Sequence, residues 1–322
     1  MIAIRMHQTG GADVLQPEEV ALPQPGAGEV RVKLEASGVN FIDIYHRTGL
    51  YTVPLPYTPG QEGAGEVDAV GEGVTALRPG DRVAWAMHAG GYAEYAVIPT
   101  WKLVRLPEGM DAGLAAAMLL QGMTAHYLAV DTFPLQPGAQ ALIHAAAGGT
   151  GQLLVQIARL RGARVVAVVS TAEKAEIARR CGAEEVVFSS DPEWPQRARA
   201  WSGGRGVDVV FDSVGRATFA GSLVALRERG MLVLFGQASG PVPPFDPARL
   251  ATGGSLYLTR PVLAHYATSA AEVQRRCGDL FTWLQEGCLQ VAIARRFLLT
   301  EAAAAQAYLA SRQALGKVLL VP

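Results

Sequence analysis

One turn limits the choice of fold more than any other part of this chain. In the segment ALIHAAAGGTGQLLVQIARLRGARVVAVVSTAEK, an apolar run at 141–145 enters a turn containing Gly148, Gly149, Thr150 and Gly151. A helix over 151–161 leaves the turn, and a second apolar strand follows at 164–169. The spacing Ala145-x-x-Gly148-x-x-Gly151 is a variant of the dinucleotide fingerprint. Gly148 lets the backbone approach a pyrophosphate, Gly151 lets the helix pack on the strand, and the helix N-terminus offers N–H donors to an anion. The end of the second strand selects the cofactor. A ribose 2′-hydroxyl calls for Asp or Glu there. This chain has Ser170, Thr171 and then Lys174. No carboxylate repels a 2′-phosphate, and two hydroxyls with an ammonium can hold one, so the expected cofactor is NADPH.

The strand–helix alternation continues, with a helix at 172–180 and short apolar strands at 186–188, 207–211 and 231–235. Strands that are apolar throughout and separated by helices predict a parallel sheet covered on both faces, a doubly wound α/β architecture. The chain before about residue 110 reads differently. Runs at 30–39, 67–70 and 82–86 are broken by the turn sequences PQPGAGE, LRPGD and LPEGM, which predicts a barrel-like or partly open β-domain. Two stretches, 111–131 and 139–158, carry few charges but include Gln121, Thr124, His126 and His144. They read as a buried helix and as strand–turn–helix, not as membrane spans. A helix at 269–286, a segment at 302–311 and a strand at 318–321 complete the pattern.

A formal net charge of -1 gives no electrostatic footprint for nucleic acid or an anionic membrane. Cys181, Cys277 and Cys288 are scattered and odd in number, which fits a reducing cytoplasm without a disulfide framework. The N-terminus MIAIRMHQTGG lacks a signal-peptide pattern. His7, His46, His88, His144 and His265 show no metal-ligand spacing and are expected to be structural.

Five segments, GVNFIDIYHRTGLY (38–51), HAAAGGTG (144–151), FDSVGR (211–216), GSLYLTRP (254–261) and SRQALGKVLLVP (311–322), resemble the zeta-crystallin-like quinone oxidoreductases of the medium-chain dehydrogenase/reductase superfamily. The resemblance implies a GroES-like catalytic domain over 1–122, a Rossmann NADP-binding domain over 123–265 and a return to the catalytic domain over 266–322. It implies an active site in the cleft between domains, and a homodimer formed through sheet edges near 255–259. Zinc-dependent members of the superfamily place a cysteine where this chain has Asn40, and a histidine in the motif that reads here Gly60-Gln61-Glu62. Amides are poor zinc ligands, so a metal-free site is expected. Without a Lewis acid, hydride delivery to an acceptor that is already electrophilic remains feasible.

Carried over residue by residue, the resemblance puts Asn40 beside the nicotinamide ribose or the substrate, with Asp43, Tyr45 and Tyr51 on the substrate side. A phenol there can donate to a developing oxyanion. Thr124 and Tyr127 are expected near the nicotinamide. Ser213, Val214, Phe235, Gly236 and Ser239 should line the cofactor cleft, and Arg260 and Arg312 resemble family arginines near the cofactor. Ser189 replaces a tyrosine that in relatives flanks the adenosine phosphate, and Gln121 stands where lysine is common. The leading expectation is an NADPH-dependent quinone reductase. An NADPH-dependent enone or enal reductase shares the hydride donor and differs only in the pocket. A crystallin-like structural or RNA-binding protein is the alternative from another class.

Overall fold

The computed structural model describes residues 1–322. The chain divides into two compact units. The first comprises Met1–Met123, Ala267–Phe281 and Val291–Pro322, and the second comprises Thr124–Tyr266 and Thr282–Gln290.

The first unit begins with a two-stranded antiparallel ribbon, β1 (Ile2–Arg5) and β2 (Gln16–Glu19). Then come β3 (Glu29–Val39), α1 (Phe41–Arg47), β4 (Glu62–Val70), β5 (Arg82–Ala86), β6 (Tyr95–Pro99), β7 (Leu103–Arg105) and α2 (Ala112–Tyr127). Strand β3 has 11 residues that alternate between covered and open positions over its first half, as a half-buried strand should. One edge of it pairs with β4, and the other pairs with β6 near its start. One core lies under these strands, with Val30, Val32, Leu34, Val83, Trp85 and Ile98 among its members.

Helix α2 continues through a wider π-type turn, so that 112–132 forms one apolar helix. It is long and apolar enough to cross a membrane by length and composition alone. However, 72% of its most apolar window is buried inside the protein, which is the condition of a core helix.

The second unit contains β8 (Gln140–His144), α3 (Gly149–Leu160), β9 (Arg164–Val169), α4 (Ala172–Cys181) and β10 (Glu185–Phe188). It continues with α5 (Trp194–Trp201), β11 (Val207–Asp212), α6 (Phe219–Ala225), β12 (Leu226–Leu234), α7 (Ala248–Thr252) and β13 (Tyr257–Thr259). The six strands are parallel and ordered β10-β9-β8-β11-β12-β13. That is the doubly wound 3-2-1-4-5-6 arrangement, with its switch point between β8 and β11. Strands β8 and β11 are buried along their whole length, as expected for a sheet covered on both faces.

After α8 (Ala270–Gln285) come β14 (Ile293–Leu298), α9 (Ala302–Ala310) and β15 (Lys317–Val321). Strand β15 pairs antiparallel with the second half of β3, and β14 forms the outer edge of that seven-stranded sheet. A second core gathers here from Ile4, Val39, Tyr92, Phe297, Val318 and Leu320.

Two elements differ in extent from the sequence reading. Helix α3 starts at Gly149, two residues earlier than expected, so Gly149 and Thr150 belong to its first turn. Strand β12 starts at Leu226, five residues early, through the polar run RERG that interrupts the apolar signal. Arg229 takes a positive φ of 55° within that run.

The seat of α3 on β8 depends on Gly151. A methyl group there would overlap the Ala145 carbonyl oxygen and crowd the Ala146 backbone. Backbone atoms cannot swing aside as a flexible side chain can, so Gly151→Ala should destabilise the protein by about 1–3 kcal/mol. A lowered urea midpoint with an unchanged m-value is the expected result.

Candidate active site

In the second unit, β8 ends on His144, Ala145 follows with a φ of 50°, and the chain turns through Gly148 into α3. The Gly148 N–H donates to Ala145 O at 2.9 Å, and the Gln152 side chain closes the turn by donating to Ala147 O at 2.7 Å. No side chain caps this helix start. The amides of its first turn therefore remain available to an anion, and Gly148, Gly149 and Thr150 are only half-buried.

Next to this turn, at the end of β9, the Lys174 ammonium donates to Ser170 Oγ at 3.2 Å. The Lys174 amide donates to Thr171 Oγ1 at 3.3 Å. Thr171 is thus the N-cap of α4, which occupies its acceptor lone pair and leaves its O–H as a donor. The Ser189 amide donates to Val169 O at 2.7 Å, so β10 delivers Ser189 beside Ser170. Ser189 thus joins Ser170, Thr171 and Lys174, which the sequence reading already grouped, in one polar corner whose three hydroxyl residues are exposed and whose lysine is half-buried.

Asp212 ties the ends of β11 and β12 together, because its backbone carbonyl accepts from the Phe235 amide at 2.8 Å and its buried carboxylate holds the turn after β11. Its Oδ1 accepts from the amides of Val214 (2.8 Å) and Gly215 (3.0 Å) and from Thr218 Oγ1 (2.9 Å). Its Oδ2 accepts from Thr218 Oγ1 (2.7 Å) and Ser222 Oγ (2.9 Å). Ser222 gives its proton to Asp212, so it accepts from His144 Nε2, 2.9 Å away. That arrangement makes His144 the neutral Nε2–H tautomer, consistent with burial lowering its pKa against the opposing pull of Asp212. Ser213 and Val214 are thereby fixed next to Phe235, Gly236 and Ser239. Ser239 Oγ donates to Val214 O at 2.7 Å, and a side chain on Gly236 would press into the Ser213 backbone. Arg260 joins this edge by donating to Leu234 O at 3.1 Å.

Thr124 is half-buried. Tyr127 is buried and stacks on Tyr266 with ring centroids 4.5 Å apart, so its ring serves the packing of this unit. Arg312 lies on the other compact unit, after α9, exposed and with a φ of 61°.

In the first unit, Asn40 heads α1 and its amide N–H donates to Asp43 Oδ2 at 2.9 Å. The sequence reading put Asp43 on a substrate-facing surface. The structure instead buries it completely, with Oδ2 also accepting from Tyr92 O–H at 3.1 Å. Asp43 therefore shapes the start of α1. Burial pushes its pKa up to about 7, opposed by the Asn40 amide, the Lys317 ammonium and Tyr92, while Glu62 adds to the rise.

Tyr45 and Tyr51 are half-buried and meet edge to face at 5.3 Å. Three residues that the sequence reading did not place here extend the cluster. His46 lies edge-on to Tyr57 at 5.6 Å, and Gln61 Nε2 donates to Tyr57 O–H at 2.9 Å. Desolvation first, and the Asp43 charge second, push the Tyr57 phenol up to about 12. Tyr57 therefore stays protonated and can act as a hydrogen-bond donor.

Zinc chemistry does not fit this set. Asn40 and Gln61 offer neutral amides, and the Glu62 carboxylate is paired with the Lys317 ammonium. No group of three or more His, Cys, Asp or Glu side chains is disposed to hold a metal ion.

The alcohol dehydrogenase GroES-like domain model matches residues 26–108, and the zinc-binding dehydrogenase model matches 149–268. Fold and matches together define a medium-chain dehydrogenase/reductase. The chain is 44% identical over 315 residues to a quinone oxidoreductase of Pseudomonas aeruginosa, covering 97% of each chain. It is 41% identical to a 2-haloacrylate reductase of a Burkholderia species, covering 100% of this chain and 99% of the relative. The crystal structure of Escherichia coli quinone oxidoreductase complexed with NADPH superposes with a TM-score of 0.98 at 39% identity over 100% of both chains. Within that class, the chain belongs to the quinone oxidoreductase family.

The buried Asp43 carboxyl has a consequence in solution. In the unfolded chain it ionises near 3.8, whereas in the fold it keeps its proton until about pH 7. Between those values the folded state holds a proton that the unfolded chain has released, so stability falls as pH rises and levels off above about 7. Asp43→Asn should flatten this slope, read as urea midpoints of wild type and variant at about pH 5 and pH 8.

Proposed function

We propose that this protein is an NADPH-dependent quinone reductase. The observation that carries the reading is the corner at the end of β9. There the Lys174 ammonium meets Ser170, 3.2 Å away, and the strand runs into the hydroxyls of Ser170 and Thr171 rather than into a carboxylate, next to an uncapped glycine turn. That is the chemistry for a 2′-phosphate beside a pyrophosphate. The family neighbour complexed with NADPH supports the same cofactor.

In this reading the second unit is the dinucleotide-binding part. The amides of Gly149, Thr150 and Gly151 hold the pyrophosphate, and Gly148, whose own amide is taken by Ala145 O, lets the backbone come close to it. Ser170, Thr171, Lys174 and Ser189 hold the phosphorylated ribose. Ser213, Val214, Phe235, Gly236 and Ser239 border the nicotinamide half, with Thr124, Tyr127 and Arg260 from the same unit. Asn40 and Arg312 come from the first unit, where the substrate residues also lie. Bound NADPH supplies a hydride equivalent from its nicotinamide ring. Tyr45 and Tyr51 orient the acceptor and donate to the carbonyl oxygen that gains charge. One hydride from the nicotinamide and one proton add to the quinone, so NADPH, H⁺ and quinone yield NADP⁺ and hydroquinone overall.

The protein works in the cytoplasm, a reading supported by three free cysteines. It is a homodimer joined through β13, one of the two edge strands of the parallel sheet, where Tyr257 is 57% exposed. A second reading, reduction of an activated alkene, is favoured by the 41% identity to the 2-haloacrylate reductase.

Lys174→Ala should weaken NADPH binding about tenfold or more while leaving NADH binding unchanged, in a titration of nicotinamide fluorescence. Equal losses for both nucleotides would remove the 2′-phosphate assignment. Turnover of 2-chloroacrylate with none of 1,4-benzoquinone would reverse the order of the two acceptor readings.

A further inference from the structure

The first unit buries a lysine, a glutamate and an amide against one another. Lys317 opens β15 and is 1% exposed, and Glu62 opens β4 and is 0% exposed. The Lys317 ammonium donates to Glu62 Oε1 and, at 2.7 Å, to Asn40 Oδ1. Asn40 Nδ2 donates to the same Glu62 oxygen at 2.7 Å and to Gly38 O at 3.2 Å. The other carboxylate oxygen of Glu62 accepts from the Leu120 amide of α2 at 2.8 Å. Gly38 is glycine for the sake of this group, because a methyl there would overlap both the Glu62 carboxylate and the Lys317 stem.

These contacts admit one orientation of the Asn40 amide. Flipped, its oxygen would face a carboxylate and its NH₂ would face an ammonium, two like-to-like contacts in a desolvated site. In the observed orientation both Nδ2 protons are used, and Oδ1 keeps one free lone pair. We infer that Lys317 and Glu62 are positioning residues that lock Asn40 as a hydrogen-bond acceptor, so that it receives a proton from a hydroxyl of the nicotinamide ribose and cannot donate to a substrate oxyanion. This rests on the assignment of Asn40 to the bound dinucleotide.

Removing one member of a buried ion pair strands the other charge, so the informative variant neutralises both together. Glu62→Gln with Lys317→Met keeps the side-chain length at 62, shortens it by one atom at 317, and releases the orientation of Asn40. The paired variant should fold, as judged by circular dichroism and melting. Its Kd for NADPH should rise about tenfold, the loss of one hydrogen bond, and its KM for NADPH should rise more than its kcat falls. Combined with Asn40→Ala, it should add almost nothing to the loss that Asn40→Ala causes alone. A full-sized additional loss in the Asn40→Ala background overturns the inference while leaving Asn40 at the dinucleotide. Unchanged NADPH affinity in Asn40→Ala alone overturns the assignment of Asn40, and the inference with it.

Asn40→Asp gives an independent reading if the paired variant does not fold. It sets a second carboxylate against Glu62, with Lys317, Asp43 and Tyr92 as the other ionisable groups around it. A proton shared between the two carboxylates restores the lost donor, so NADPH affinity should be weak at about pH 8 and recover towards about pH 6, beyond any change in wild type. A pH profile parallel to that of wild type overturns the inference.

Discussion

The carboxylate of Asp212 is the interaction on which the order of the parallel sheet's functional edge depends. It sits fully buried at the end of β11 and is satisfied by two amides and two hydroxyls. A buried anion without such donors would cost more than a domain's whole stability allows. With them, it draws the turn after β11 inward and fixes where Ser213 and Val214 lie. The β12 turn then follows, because Ser239 bonds back to Val214 and Gly236 packs on Ser213. Local order in one turn thus becomes the shape of a surface formed by two strands.

The two units solve the same electrostatic problem in different ways. In the second, neutral donors surround Asp212, and the nearby His144 stays uncharged. In the first, Glu62 is met by an ammonium, while Asp43, one residue group away, is left holding its proton up to about pH 7. The difference follows from the cation's reach. The single buried lysine is in direct contact with Glu62 and only lowers the Asp43 pKa from a distance, against a larger effect of burial.

Much of the second unit was legible in the sequence, because its signals are local. The apolar runs of β8 and β9, the glycine turn between them and the hydroxyl–lysine corner all lie within 34 consecutive residues. The first unit was less so. Asp43 sits in a segment that reads as a polar substrate surface, and only the fold reveals Tyr92, 49 residues away, closing over it. Lys317 heads the otherwise apolar run VLLV, a mild anomaly for a strand. Its partner Glu62 lies 255 residues earlier, beyond the reach of any pattern. Asp212 was passed over in favour of its neighbours Ser213 and Val214, since a buried acceptor hub and an exposed aspartate look alike in a string of letters.

Strand β15 is made from Lys317–Val321 yet fills an interior place in the sheet of the first unit, beside β3. A ribosome emits β3 nearly three hundred residues before its neighbour. By the time β15 emerges every strand of the parallel sheet has been made, while β3 still has an unfilled edge and Glu62 still lacks its counter-ion. Vectorial synthesis thus favours completion of the dinucleotide-type unit first, with the other unit held open until β15 is made. A nascent chain cut before Lys317 would lack the zipper strand and the buried cation together.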